Sequence, residues 1–124
     1  MVFITGGAYQ GKLDHARDTF HLSDADIFTC TGGEIDFSRR CVYGLEHFVL
    51  CCLRQGQEPV AYFAARRPLW QSSILICRDI FCGVVPLDGE QRRWRQETGR
   101  LCQYLSREAE QVSRLFCGLE QRLK

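Results

Sequence analysis

Apolar and polar positions alternate in blocks that predict strands separated by helices. Val2-Phe3-Ile4 is a short apolar run that enters a glycine-rich turn, Gly6-Gly7-Ala8-Tyr9-Gln10-Gly11-Lys12. Leu13, Ala16 and Phe20 then recur at helical spacing. His21 to Asp26 is polar and turn-like, and Ile27 to Thr31 reads as a short strand ending at Gly32-Gly33. After a polar stretch from Glu34 to Arg40, the residues Val42, Leu45, Val49, Cys52 and Leu53 fall on one helical face. That helix should stop near Gly56, ahead of Pro59.

Val60 to Ala64 suits a strand, although Ala61, Ala64 and Ala65 would also suit a helix, and Arg66-Arg67-Pro68 breaks the segment. Ser73-Ile74-Leu75-Ile76-Cys77 is a continuous apolar run, the signature of a strand covered on both faces. Gly83 and Pro86 predict a loop. Asp88 is the expected N-cap of the longest helix, which runs to about Glu108 and buries Trp94, Thr98, Leu101, Cys102 and Leu105. Val112 to Cys117 predicts a last strand.

Strands alternating with helices imply βαβ units and a single α/β domain over residues 1–124. The expected fold is a P-loop NTPase-like three-layer arrangement, a mainly parallel sheet flanked by helices. Ligands in such sheets bind beyond the carboxyl ends of the strands, where both Gly6 to Lys12 and Arg78-Asp79 should lie.

Composition narrows the function classes. A formal net charge of +1 offers no general electrostatic attraction to nucleic acid or anionic membrane. No apolar run approaches a membrane span, and the start of the chain lacks the pattern of a signal peptide, so a cytoplasmic protein is expected. The eight cysteines include no Cys-x-x-Cys, and most sit where Val or Ala would serve, which predicts reduced core fillers. The histidines His15, His21 and His47 are not at zinc-finger spacing. The arginines of the long helix alternate with acids, as on a solvated face.

Gly6, Gly11 and Lys12 match G-x-x-x-x-G-K between a strand and a helix. Backbone N–H groups of such a loop curl around an anion, the helix N-terminus adds a favourable dipole, and the lysine adds charge. The simpler alternative is a tight turn that needs glycine, with Lys12 exposed by chance. The nucleotide-binding candidates are therefore Gly6, Gly7, Ala8, Tyr9, Gln10, Gly11, Lys12 and Leu13. Leu13 stands where the motif has a Mg²⁺-ligating Ser or Thr, a role left to Thr5 or water. Asp79, closing a buried strand, is either a Walker-B-type carboxylate that holds Mg²⁺ directly or through water, or a helix-cap or loop aspartate. Arg78 either neutralises phosphate or pairs with Asp79.

The segment ITGGAYQGK, together with Arg78 to Lys124, resembles the adenosylcobinamide kinase/adenosylcobinamide-phosphate guanylyltransferase family of cobalamin biosynthesis. The C-terminal half carries most of the likeness. Its parts are a strand, an acidic residue, Gly83-Val84-Val85-Pro86, then Arg92-Arg93-Trp94-Arg95-Gln96-Glu97-Thr98-Gly99-Arg100-Leu101, and finally Cys117-Gly118-Leu119 and Arg122-Leu123-Lys124. The resemblance implies a P-loop α/β fold, Mg²⁺ with GTP or ATP, and phosphorylation of the aminopropanol hydroxyl of a corrinoid, adenosylcobinamide. Catalytic roles then fall to Lys12 and Asp79. Leu13, an Asp at 79 in place of the family's Glu, and the lack of the family's guanylylated-histidine segment are departures. They imply that the guanylyltransferase half is lost, and they keep open a member that only binds nucleotide or corrinoid, or serves complex assembly. The family forms oligomers, and exposed sheet edges in so short a chain would gain from a partner.

Overall fold

A computed structural model describes residues 1–80 and 88–124. The sequence expectations for Gly83 to Pro86 and for Cys82 lie outside the described residues. Strand β1 (Val2–Gly6) leads through the glycine loop into helix α1 (Lys12–Phe20). A 3₁₀ turn, Asp24–Asp26, precedes β2 (Ile27–Thr29), and a long loop then reaches β3 (Cys41–Tyr43). Helices α2 (Leu45–Gln55), α3 (Pro59–Ala65) and α4 (Arg67–Trp70) follow. Strand β4 (Ile74–Arg78), helix α5 (Gly89–Glu108) and the hairpin β5 (Gln111–Phe116) and β6 (Leu119–Arg122) complete the order.

The strands form one sheet in the order β2-β3-β4-β1-β5-β6, parallel except for β6. Strand β1 lies between β4 and β5, so its backbone groups are paired on both sides. The apolar run of β4 divides by its period of two. Leu75 and Cys77 enter the core against α2, α3 and α5, while Ile74 and Ile76 enter the smaller core under α1. The sheet is thus the middle of three layers, as expected, with most of the helical mass on one face.

Three sequence expectations change. Val42 belongs to β3, not to the helix, because Gly44 adopts a left-handed conformation (φ 84) and starts α2 one residue later. The segment 60–64 is helical: the Glu58 side chain accepts from the N–H groups of Val60 and Ala61, and Pro59 occupies the first turn. This places Tyr62 and Phe63 in an aromatic cluster with Phe37, Phe48 and Trp70. The Trp70 Nε1–H donates to Phe63 O at 2.8 Å, which satisfies its one polar atom. The polar stretch before β3 also contributes to this core, through buried Ile35 and half-buried Phe37. Third, β6 follows β5 as an antiparallel edge strand.

The long helix forms as expected. Asp88 Oδ1 accepts from the Glu90 N–H at 2.8 Å, and Thr98, Leu101, Cys102 and Leu105 are buried, while Trp94 is only half-buried against the same core. All cysteines among the described residues are free thiols. Cys30, Cys41, Cys52, Cys77 and Cys102 are buried fillers, and burial pushes the thiols of Cys30, Cys41 and Cys52 up to about 12, which keeps them protonated. Cys117 departs from that reading: it is exposed in the β5–β6 turn.

Candidate functional site

The glycine loop closes onto the sheet at Gly6. At φ 152 and with the Leu115 carbonyl oxygen only 2.5 Å from where a Cβ would stand, this position admits glycine alone. Beyond it the chain passes through left-handed Tyr9 (φ 60) and Gly11 (φ 87) before α1 begins at Lys12. The loop is braced from the far side of the chain. The Gly118 N–H donates to Gln10 O at 3.1 Å, and the Cys117 N–H donates to Gln10 Oε1 at 2.5 Å. Gln10 Nε2 donates to Ala8 O at 3.3 Å. The first helical bond runs from the His15 N–H to Gly11 O at 2.9 Å. Among the described residues, the N–H groups from Ala8 to Leu13 have no protein acceptor. Donors of this kind, grouped at a helix start, form an anion-binding concavity.

Lys12 is only 6% exposed, and its Nζ donates to Gly7 O at 2.6 Å across its own loop. Burial holds its ammonium below the ordinary lysine range. The carboxylate of Glu46 opposes that shift more strongly than any other charge, and Asp79 contributes the least of the neighbours that act on it. Lys12 is therefore no chance surface lysine.

Glu46 is the residue that sequence reasoning missed. It sits in the first turn of α2 at 5% exposure, where the helix dipole favours negative charge. Its Oε1 accepts from the Arg78 N–H at 2.8 Å, and its Oε2 lies 3.7 Å from His47 Nε2. Its own backbone carbonyl accepts from Trp94 Nε1–H at 2.7 Å, so α5 fixes the turn that carries it. The available signal was a strand-like Cys41-Val42-Tyr43 followed by Gly44 and an acid in the next helical turn. The unbroken helical spacing of Val42, Leu45 and Val49 concealed it.

A cavity of about 370 Å³ joins the two halves. One wall is Ala8, Tyr9, Gly11, Lys12, Leu13 and Asp14; the other is Tyr43, Glu46, His47 and Arg78. The volume is within the usual range for small-ligand sites. The expected convergence of Gly6–Lys12 with Arg78-Asp79 is present. Gly6 is in register with Arg78, and the Asp79 N–H donates to Gly6 O at 2.7 Å. Arg78 borders the cavity, and its backbone N–H serves Glu46. Thr5 is elsewhere: its side chain lines a separate groove with Cys102 and Val112 on the α5 face, so it does not take over the missing hydroxyl role of Leu13. His15 lies 3.8 Å from Glu120, on the hairpin side, and does not border the cavity.

A resident Mg²⁺ is a poor fit to these donors. Leu13 supplies no oxygen, one oxygen of Glu46 is taken by the Arg78 N–H, and among the described residues no group of three or more His, Cys, Asp or Glu side chains is assembled to hold a metal. Also among the described residues, no helix is long and apolar enough to cross a membrane. The chain matches no protein-family model and no curated protein.

Proposed function

We propose that this protein binds ATP or GTP through its phosphates, held by the loop from Gly6 to Leu13. The observation that carries the reading is the unpartnered run of loop N–H groups beside the buried ammonium of Lys12, at the carboxyl edge of a parallel sheet. Phosphate oxygens would replace Gly7 O as the acceptor of Lys12 Nζ, exchanging a bond from the ammonium to a neutral carbonyl for one between opposite charges. The resemblance to adenosylcobinamide kinases supplies the second substrate, a corrinoid alcohol. In that reading Lys12 and the loop amides stabilise charge on the transferred phosphoryl group. Glu46, more than Asp79, borders the cavity in which an acceptor hydroxyl would be oriented.

Calorimetry with ATP and GTP, with and without Mg²⁺, tests the binding claim. Binding that weakens strongly in Lys12→Ala is expected; no heat and no thermal shift with either nucleotide would defeat it. Transfer is tested separately, by nucleotide-dependent phosphorylation of cobinamide. Leu13 and the poor metal fit favour a second reading, a member that binds nucleotide without turnover. Tight Mg²⁺-independent binding with no phosphorylated product would select it.

A further inference from the structure

The two edges of the sheet are finished differently. β2 is three residues long, and the chain around it is tied by arginines: Arg39 Nη1 donates to Ala25 O at 2.7 Å and Arg40 Nη2 to Phe20 O at 3.0 Å. β6, at the opposite edge, is exposed at all four positions. Its hairpin closes through Cys117-Gly118, both left-handed (φ 52 and 76), with Phe116 facing Leu119. In such a two-residue hairpin the closing pair is hydrogen-bonded, and bonded pairs recur at every second position. Arg114 with Gln121 is the next pair in the register, and the Leu123 N–H donating to Val112 O at 2.9 Å continues it. Leu119, Gln121 and Leu123 thus direct their backbone groups to β5. Glu120 and Arg122 direct theirs outward, along the open edge.

We propose that this edge is a self-association surface, where β6 of a second copy adds antiparallel about a two-fold axis and extends the sheet through the interface. Outward-facing backbone groups meet only where Glu120 or Arg122 stands opposite Glu120 or Arg122 of the second copy. Glu120 on Glu120, or Arg122 on Arg122, sets like charges directly opposite, which is unfavourable. Glu120 opposite Arg122 of the second copy sets opposite charges together, and symmetry repeats the pair. That same register brings Leu119 opposite Leu123 of the second copy and leaves Gln121 on the axis. Leu119 and Leu123 are 73% and 57% exposed, on the face they share with Phe116, itself 61% exposed. One alignment therefore satisfies backbone, charge and apolar surface at once, and it reads identically from either copy, as an isologous interface requires. An edge that lacks proline and pairs an acid with a base in this way is a template for its own kind.

Sedimentation velocity across a concentration series should show monomer passing to dimer, with modest affinity because one short strand buries less than a standard interface. Arg122→Glu and Glu120→Arg each place like charges opposite and should weaken the dimer by about tenfold or more. Mixing these two variants should restore a dimer, since each then meets its complement. Wild-type protein that stays monomeric throughout, a dimer indifferent to both variants, or a mixture that does not recover would overturn the proposal. Glu120 Oε1 accepts from Ser113 Oγ at 2.6 Å, so Glu120→Arg also removes an internal contact. If circular dichroism shows that variant unfolded, Gln121→Lys, which sets two lysines on the axis and leaves Glu120 in place, should weaken the dimer instead; an unchanged mass would again overturn the proposal.

Discussion

The cavity has two walls made by the same device, used to opposite ends. In each, a parallel strand runs into a left-handed glycine and then a helix whose first turn holds a buried charge. Gly11 precedes Lys12 in α1, and Gly44 precedes Glu46 in α2. On the first wall the buried charge is a cation beside amides with no protein acceptor among the described residues. On the second it is an anion already engaged by the Arg78 N–H. One wall presents donors that have no protein acceptor among the described residues, while the other holds a carboxylate fixed through one oxygen by the Arg78 N–H. The strand-glycine-helix turn is generic; the state of its hydrogen bonds decides which wall can bind.

Alanine scanning at the glycines should break the symmetry most strongly. Gly6→Ala forces a Cβ against the Leu115 carbonyl and should cost about 3 kcal/mol or more of stability. At Gly44 the nearest atom to a new Cβ is His47 Cδ2, at 3.5 Å, so only the left-handed backbone is strained, at about 1–2 kcal/mol. Urea denaturation of both variants measures the order, and a reversed order would contradict the tight closure seen at Gly6. Next in size, Lys12→Ala should lower nucleotide affinity by roughly 10- to 100-fold, the equivalent of one charge-assisted hydrogen bond, with the fold intact. Calorimetry gives the affinity and circular dichroism the fold.

The acid wall is sharpened by pH. Because burial lowers the native pKa of Lys12, the unfolded state carries more protons at pH values between that lowered value and the unfolded one, about 10.4. Stability therefore rises with pH across that window, while phosphate affinity falls as the ammonium is lost. Glu46→Gln keeps an oxygen for the Arg78 N–H but removes the charge that most supports the ammonium, so the loss of affinity should begin at lower pH than in wild type. Titrating nucleotide affinity against pH in both proteins checks the direction. The smallest effect belongs to Leu13→Thr. Restoring a hydroxyl at the start of α1 should make nucleotide binding a few-fold more Mg²⁺-dependent than in the wild type, which calorimetry with and without the ion would detect.

The first wall was legible in the sequence because its elements carry independent local signals. Val2 to Ile4 is a buried strand run, Gly6 and Gly11 answer to specific backbone needs, and Lys12 falls at fixed spacing from both. The second wall was not, because its strand is three residues long and its apolar positions happen to continue the period of the following helix. The same ambiguity misread Val60 to Ala64, where Tyr62 and Phe63 suggest a strand while Glu58 and Pro59 fix a helix start. Local capping outweighed side-chain preference there, and burial of the aromatic cluster completed the choice. β6 left almost no trace: four exposed residues have no hydrophobic alternation to show, and Cys117-Gly118, whose left-handed backbone makes the turn, figured in the sequence only as part of the family resemblance.

The brace at Gln10 has a consequence for how the protein comes into being. The glycine loop is held by a backbone group 107 residues away in sequence, and β1 itself is completed by pairing with β5. The glycine loop is translated well before the hairpin, yet it acquires its final shape only once the hairpin has been made and has docked. Contacts of such long separation are slow to form. On the proposed function, the chain should therefore have little grip on nucleotide until Cys117 and Gly118 have docked against Gln10, so that binding follows formation of the hairpin.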